Sequence, residues 1–250
     1  MQLKLLGTGN AAGMPLYGCN CNYCVEVSAD RSLQRTPCSA LLKVDNKRYL
    51  LDAGQMNLAE RFPAGSLDGI FITHFHPDHV QGLFHLRWGI NQSLPVYTPP
   101  DTQGCADLYK HSGILDFQPL KKFTSLRLGQ LTVTPLPLIH SKPTFGYLFE
   151  FNGHNMAYLT DTKGMPDTSL ELLKECQPGV MVIDCSFVPY SDNQTHNNLE
   201  DVFVLQKQVQ AGKIVLTHIG HDMDIWLKEN PDVLPDDYRA GYDEMVLVAG

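Results

Sequence analysis

THFHPDHVQG, residues 73–82, closes the apolar run GIFI and sets three histidines and an aspartate within six positions, His74 to His79. In an extended segment His74 and His76 project to the same side, so both can reach one cation. Pro77 interrupts the strand, and Asp78 then stands where a helix would begin. Asp78 and His79 therefore turn away from the first pair, towards a second cation. Two cations held ~3.5–4 Å apart can share a hydroxide and clamp a displacement at phosphorus or carbon. The plain alternative is a histidine-rich surface turn. The position of the cluster on the end of an apolar strand argues against it.

The same punctuation recurs along the chain. LTVTPLPLI runs into His140, MAYLT into Asp161, VMVI into Asp184 and KIVLT into His218. Apolar strands end on turn residues more often than on His or Asp, and polar groups gathered at the carboxyl edge of sheets are how many α/β enzymes build a site. His140 is assigned to the first cation with His74 and His76. His218 is assigned to the second with Asp78 and His79, and Asp161 bridges both. These nitrogen and oxygen donors accept two divalent ions, with manganese, zinc or iron all suitable.

The 250 residues are read as one domain, 1–250, with ordinary apolar content (43%) and no repeat or linker. A formal net charge of -8 leaves no electrostatic footprint for nucleic acid. No apolar stretch approaches a membrane span. MQLKLLGTGN is too short for a signal-peptide core, so a cytoplasmic address and reduced thiols are expected for the seven cysteines. Short β-rich runs alternate with helix-like segments at Asp78–Trp88, at Asp167–Cys176 with Asp167 as N-cap, and at Leu199–Gln210 ended by Ala211-Gly212. The mixture implies α/β layers around sheets. GTGNAAG has the wrong spacing for a dinucleotide loop and leads into Met14-Pro15 rather than a helix. No nucleotide cofactor is expected, and its glycines are read as a tight turn near the site.

THFHPDH with a distal His, Asp and His resembles the metallo-β-lactamase superfamily, which implies a four-layer αββα sandwich with a two-metal site at the sheet edges. YLLDAG is similar to the strand that buttresses the metal loop there, and this implies that Asp52 orients a ligating imidazole through a hydrogen bond. GTGNAAGMP, GCNCNYC, CSALLKV, HVQGLFHLRWG, LTVTPLPLIHSKPTFGYL, VMVIDCS and KIVLTHIGH extend the likeness over nearly the whole chain. Together they resemble the PhnP family, phosphoribosyl cyclic phosphodiesterases of the carbon–phosphorus lyase pathway. That resemblance implies hydrolysis of 5-phosphoribosyl 1,2-cyclic phosphate to ribose 1,5-bisphosphate in phosphonate catabolism. It also implies manganese in the active site, and a homodimer.

YGCNCNYC, residues 17–24, holds three thiols, one short of a four-ligand zinc site. LTHIGHD offers the fourth. If Ile219-Gly220 turn the chain, His218 faces the catalytic cluster while His221 faces elsewhere, and Cys19, Cys21, Cys24 and His221 make a closed Cys3His zinc set. The resemblance implies the same grouping. A reduced, solvated cysteine loop is the alternative. Cys38, Cys105, Cys176 and Cys185 read as small buried residues, and His85, His111 and His154 as structural.

The expected nucleophile is a hydroxide bridging the two cations, with Asp78 among the groups that hold it. His196, in SDNQTHNNLED, looks on its own like a solvated loop histidine. The resemblance implies that it is the general acid for the leaving alkoxide. Lys142, just after His140, either meets a substrate phosphate or is a solvated lysine. The rival functions are a transfer-RNA 3′-processing endonuclease, whose relatives carry a Gly-rich basic arm not seen here, and carbon-centred hydrolysis of a lactam or thioester. From another class comes a zinc-stabilised, non-enzymatic binding module, which would need four ligands rather than seven.

Overall fold

Leu50 and Leu51 are neighbours in sequence, yet both are fully buried and they pack into different hydrophobic clusters. A strand alternates its faces, so two adjacent buried leucines mean that both sides of the sheet are covered. The computed structural model, which describes residues 1–249, shows this throughout; Gly250, the end of the expected 1–250 domain, lies outside the described residues.

Strands β1 (Gln2–Gly7), β2 (Ser39–Val44), β3 (Lys47–Leu51), β4 (Gly69–Phe71), β5 (Leu94–Thr98) and β6 (Leu115–Pro119) build the first sheet. Strands β7 (Leu126–Leu128), β8 (Leu131–Pro137), β9 (Phe145–Phe151), β10 (His154–Leu159), β11 (Val180–Asp184), β12 (Ile214–Thr217) and β13 (Tyr238–Ala240) build the second. The last strand, β14 (Val246–Val248), returns to the first sheet beside β1, giving seven strands in each. Helices are α1 (Asn22–Ala29), α2 (Leu58–Arg61), α3 (Pro77–Val80), α4 (Leu83–Leu86), α5 (Ala106–Lys110), α6 (Asp167–Cys176), α7 (Leu199–Val209) and α8 (His221–Glu229).

Leu51, Phe71, Tyr147, Phe149, Tyr158 and Val182 fill the space between the sheets. Leu50, Ile70 and Val96 pack outward with Leu58 of α2 and Leu83 of α4. Leu159 and Ile183 pack outward with Leu173 of α6 and Val202 of α7. Each such side chain contributes roughly 1.5–3 kcal/mol when fully buried. The result is the expected αββα sandwich. The register runs parallel from β10 to β13 and from β3 to β6, so the carboxyl ends of β4, β10, β11 and β12 are the ends that carry His74, Asp161, Asp184 and His218. The sheets meet at this edge, where Phe145 N–H donates to Thr73 O at 2.9 Å and the Tyr147 hydroxyl donates to Ile72 O at 2.6 Å.

Three expected helices need correction. Asp78–Trp88 is two short helices, α3 and α4, because Gly82 N–H donates to Ala53 O, outside any helix, at 2.8 Å. Its missing side chain allows that approach: a Cβ there would stand 2.2 Å from Gln55 O. For α6 the N-cap is Pro166 rather than Asp167, which is already helical. The α7 helix ends at Val209 rather than Gln210, which caps it in a left-handed conformation (φ 56°) ahead of Ala211-Gly212. α1, α2, α5 and α8 were not anticipated; α2 and α5 are four and five residues long, too short to show a helical period. No helix among the described residues is long and apolar enough to cross a membrane.

Candidate active site

The histidine-rich turn is laced to the end of β3. Ala53 N–H donates to His79 O at 2.8 Å, and Asp52 N–H donates to Phe71 O at 2.8 Å. Asp52 itself is buried, with a left-handed backbone (φ 57°). A non-glycine residue there costs of order 1 kcal/mol and persists when its surroundings fix it. Its carboxylate accepts from Thr73 N–H at 2.8 Å and lies 2.8 Å from His79 Nδ1. With Nδ1–H given to Asp52, His79 Nε2 is free to face the site. The structure thus places Asp52 behind the His79 imidazole.

Four candidate ligands converge on a first point: His74, His76, His140 and Asp161. His74 Nε2 is 2.9 Å and His140 Nε2 3.1 Å from His76 Nδ1. Burial lowers His74, and the neighbouring rings add to the effect; His76 and His140 are lowered by burial too. Neutral imidazoles with converging lone pairs are what a divalent cation takes.

Asp78, His79, Asp161 and His218 converge on a second point. Asp161 Oδ2 is shared, at 3.6 Å from His74 Nε2, 3.4 Å from His79 Nε2 and 3.2 Å from His218 Nε2. Its other oxygen accepts from the Thr160 hydroxyl at 2.6 Å. Burial works against ionised Asp161 and Asp78, but the surrounding imidazoles outweigh it and hold both carboxylates below the usual range. Burial likewise opposes a charged His79, and Asp161 and Asp52 overcome it, holding that ring well above its ordinary value.

His79 Nε2 and His218 Nε2 are buried and make no hydrogen bond among the described residues, although carboxylate oxygens lie 3.2–3.6 Å away. Those oxygens are outside hydrogen-bonding geometry. Buried polar nitrogens without partners are costly, and ring nitrogens gathered at one point with carboxylates around them are a donor set that fits a cation. The donor set therefore fits two divalent ions. His218 also has a left-handed backbone (φ 55°), so strained residues stand at both sides of the site.

A third grouping joins Asp184 and His196 to Asp161 and His218. Here Asp184 and His196 are already paired with each other. His196 Nδ1 lies 2.7 Å from Asp184 Oδ2, which also accepts from Thr162 N–H at 2.9 Å. The His196 ring stacks on His218, with centroids 4.7 Å apart. Burial pulls His196 down, but the Asp184 carboxylate outweighs it and raises the ring to about 8. His196 comes from a surface loop, and Asn193 and Asn197 fix that loop: Asn193 Oδ1 accepts from Thr195 N–H and His196 N–H, and Asn197 Oδ1 accepts from Gly164 N–H at 2.7 Å.

The cysteine cluster forms on another surface. Cys19, Cys21, Cys24 and His221 bring their ligand atoms within 4.8 Å of one another. Cys21 caps α1, accepting from Cys24 N–H at 3.3 Å, and Gly220 caps α8, which makes His221 its first residue. Asp222 Oδ1 lies 2.7 Å from His221 Nδ1, which leaves Nε2 facing the sulfurs at 3.5 and 3.7 Å. The Cys24 N–H and then His221 lower Cys21 to about 6. Three sulfurs and one imidazole in this arrangement fit a tetrahedral zinc ion. The adjoining Arg35–Asp224 ion pair, at 2.7 Å and nearly buried, ties α8 to the loop before β2.

Other residues fall outside both groups. Lys142 is half-buried. His85, His111 and His154 are exposed rather than structural, and Cys105 and Cys176 are only half-buried, unlike Cys38 and Cys185. The turn Gly7–Gly13 does lie beside the site: Ile219 N–H donates to Thr8 O and Asn10 N–H to Ile219 O. Sequence reasoning left Asp184 without a role, although its place at a strand end was a signal. It missed Thr73 and Ser186, whose hydroxyls carry no sequence signal.

Residues 47–219 match the model of the beta-lactamase superfamily domain. Octanoyltransferase of Porphyromonas gingivalis is 30% identical over 99% of this chain and 51% of its own length, so the chain spans about half of that relative. The probable metallo-hydrolase YhfI of Bacillus subtilis is 25% identical over 69% of the chain and 75% of its own length. Among solved structures, a diphosphatase of the PhnP family superposes with a TM-score of 0.83 and 26% identity, covering 98% of this chain and 96% of that one.

Proposed function

Since the chain belongs to the beta-lactamase superfamily, we propose that it is a metal-dependent phosphodiesterase that opens a small cyclic phosphodiester. The substrate in this reading is 5-phosphoribosyl 1,2-cyclic phosphate and the product ribose 1,5-bisphosphate, a step of phosphonate catabolism carried out in the cytoplasm by a homodimer. His74, His76, His140 and Asp161 hold one divalent ion, and Asp78, His79, Asp161 and His218 a second, manganese in both. When bound, the pair supplies a hydroxide near neutral pH and neutralises charge on the phosphoryl oxygens. Thr73 and Asp52 orient the imidazoles. His196 keeps its Nδ1 proton on Asp184 and offers the Nε2 proton to the departing ribose oxygen. Cys19, Cys21, Cys24 and His221 hold a zinc ion away from the chemistry, and Lys142 meets the 5-phosphate.

The observation that carries this reading is the Asp184–His196 pair at 2.7 Å, stacked against a residue of the second cation set. A sugar alkoxide is a poor leaving group and needs an acid, whereas a thiolate or an aryl oxide does not. A net charge of -8 speaks against a ribonucleic acid substrate. The test is a panel: cyclic phosphodiesters, linear alkyl and aryl diesters, a diphosphate, a precursor transfer RNA, an octanoyl thioester and a β-lactam, with metal analysis on the same sample. The ribosyl cyclic phosphate should be turned over best, and alkyl-diester turnover should fall ~10²–10⁴-fold in His196→Ala while aryl-diester turnover changes little. Preferred cleavage of the thioester, the lactam or the transfer RNA would overturn the reading.

A further inference from the structure

Ser186 lies two residues beyond Asp184 and is almost wholly buried. Its Oγ is 2.8 Å from His218 Nδ1, 2.6 Å from His218 O and 3.1 Å from Asp184 Oδ1. A hydroxyl has one proton and two lone pairs, so it cannot donate to all three. His218 Nε2 faces Asp78 and Asp161 with no hydrogen bond, as a ligating nitrogen would. The ring proton then sits on Nδ1 and is donated to Ser186 Oγ. Ser186 in turn donates to the His218 carbonyl or to Asp184. Its backbone is committed as well: Ser186 N–H donates to Asn197 O at 3.0 Å, and Ser186 O accepts from Gly220 N–H at 3.2 Å. One residue therefore touches the neighbour of His196, the neighbour of His221, the Asp184 carboxylate and the His218 ring.

We propose that Ser186 is a positioning residue that fixes the tautomer of His218 and holds the Asp184–His196 pair in register with the second cation set. The inference rests on the metal-hydrolase reading above and deepens it. Thr73 does the corresponding work on the other side, with its hydroxyl 3.1 Å from His74 Nδ1, 3.3 Å from His79 Nδ1 and 2.9 Å from Asp52 Oδ2. Neighbours that orient metal ligands typically set affinity by 10–100-fold.

The test uses the full chain, stripped of metal and titrated with Mn²⁺ by calorimetry, as wild type, Ser186→Ala and Ser186→Thr. Circular dichroism establishes that each variant is folded. Ser186→Ala should weaken one of two Mn²⁺ sites ~10–100-fold and leave the other unchanged, and Ser186→Thr, which keeps the hydroxyl, should restore it. On diesters, Ser186→Ala should lower the alkyl-to-aryl ratio of kcat, which a general loss of packing would not do. Wild-type affinity at both sites in folded Ser186→Ala overturns the inference, as does equal weakening of both. If no diester is turned over by the wild type, the proposed function fails while the Mn²⁺ titration still decides the role of Ser186.

Discussion

Replacing Gly54 by alanine adds one methyl group and should distort the His74–His79 turn. Gly54 closes YLLDAG, where the chain passes beneath the turn that carries Asp78. A Cβ at Gly54 would stand 1.7 Å from Asp78 O and 2.7 Å from Asp78 C, against a closest real approach of about 3.0 Å. The methyl therefore lies about 1.3 Å too deep, and backbone is what it meets, so no flexible side chain can swing aside. Nor can the loop yield freely: Ala53 N–H bonds His79 O and Gly82 N–H bonds Ala53 O, both at 2.8 Å. Overpacking of this kind costs ~1–3 kcal/mol, roughly 3–10 °C in Tm for a chain of this size. A displacement of about 1 Å among positioned groups costs ~10²-fold in rate. Thermal unfolding by circular dichroism, with and without added Mn²⁺, and kcat/KM on a diester measure the two effects. Wild type should gain Tm from Mn²⁺, and Gly54→Ala should start lower and gain less. A variant with wild-type Tm, wild-type Mn²⁺ response and wild-type kcat/KM would refute the claim that this glycine exists for the loop's backbone.

Thr73→Val keeps the shape but strips Asp52, His74 and His79 of a shared partner; it should cost ~1–3 kcal/mol and ~10–100-fold in Mn²⁺ affinity, with Thr73→Ser close to wild type in the same titration. Cys21→Ser should release zinc, measured by elemental analysis, and lower Tm while the active-site ions still bind in the folded fraction; full zinc retention would sink the Cys3His assignment. The pH profile should differ between leaving groups. His196 faces Asp184, Asp161, His79, His140 and His218; burial lowers its ring, and Asp184 and Asp161 outweigh that, to about 8. Its acid form is abundant below that pH and lost above it, so alkyl-diester kcat should fall about tenfold per unit above pH ~8 while aryl-diester kcat stays flat. A shared profile for both substrates would exclude His196 as the proton donor.

The strands were readable because most are short β-branched or aromatic runs buried on both faces, and such runs need no distant information to be recognised. The weaker strands, β6, β7, β13 and β14, were missed: they are short or half-exposed and owe their pairing to the neighbouring strand. The Asp78–Trp88 helix breaks at Gly82 for the same reason, a hydrogen bond to Ala53 that periodicity cannot reveal. HxHxDH carried the candidate site because its spacing alone sends two side chains one way and two the other. Asp161, His140 and His218 were readable only as polar ends on apolar strands.

What the sequence determined by itself is therefore local: which runs become strands, which residue types end them, and that three cysteines form a cluster. Tertiary structure decided the rest, because those choices depend on atoms that meet only after folding. Cys21 and His221 lie two hundred residues apart and meet through α1 and α8. Asp52, at the end of β3, reaches His79 only because β3 and β4 are parallel neighbours in register. Ser186 is an ordinary serine in sequence. It acquires a role because parallel pairing of β11 with β12 sets its hydroxyl between Asp184 and His218. A hydroxyl has no preferred partner of its own, and the packed sheet edge selects one.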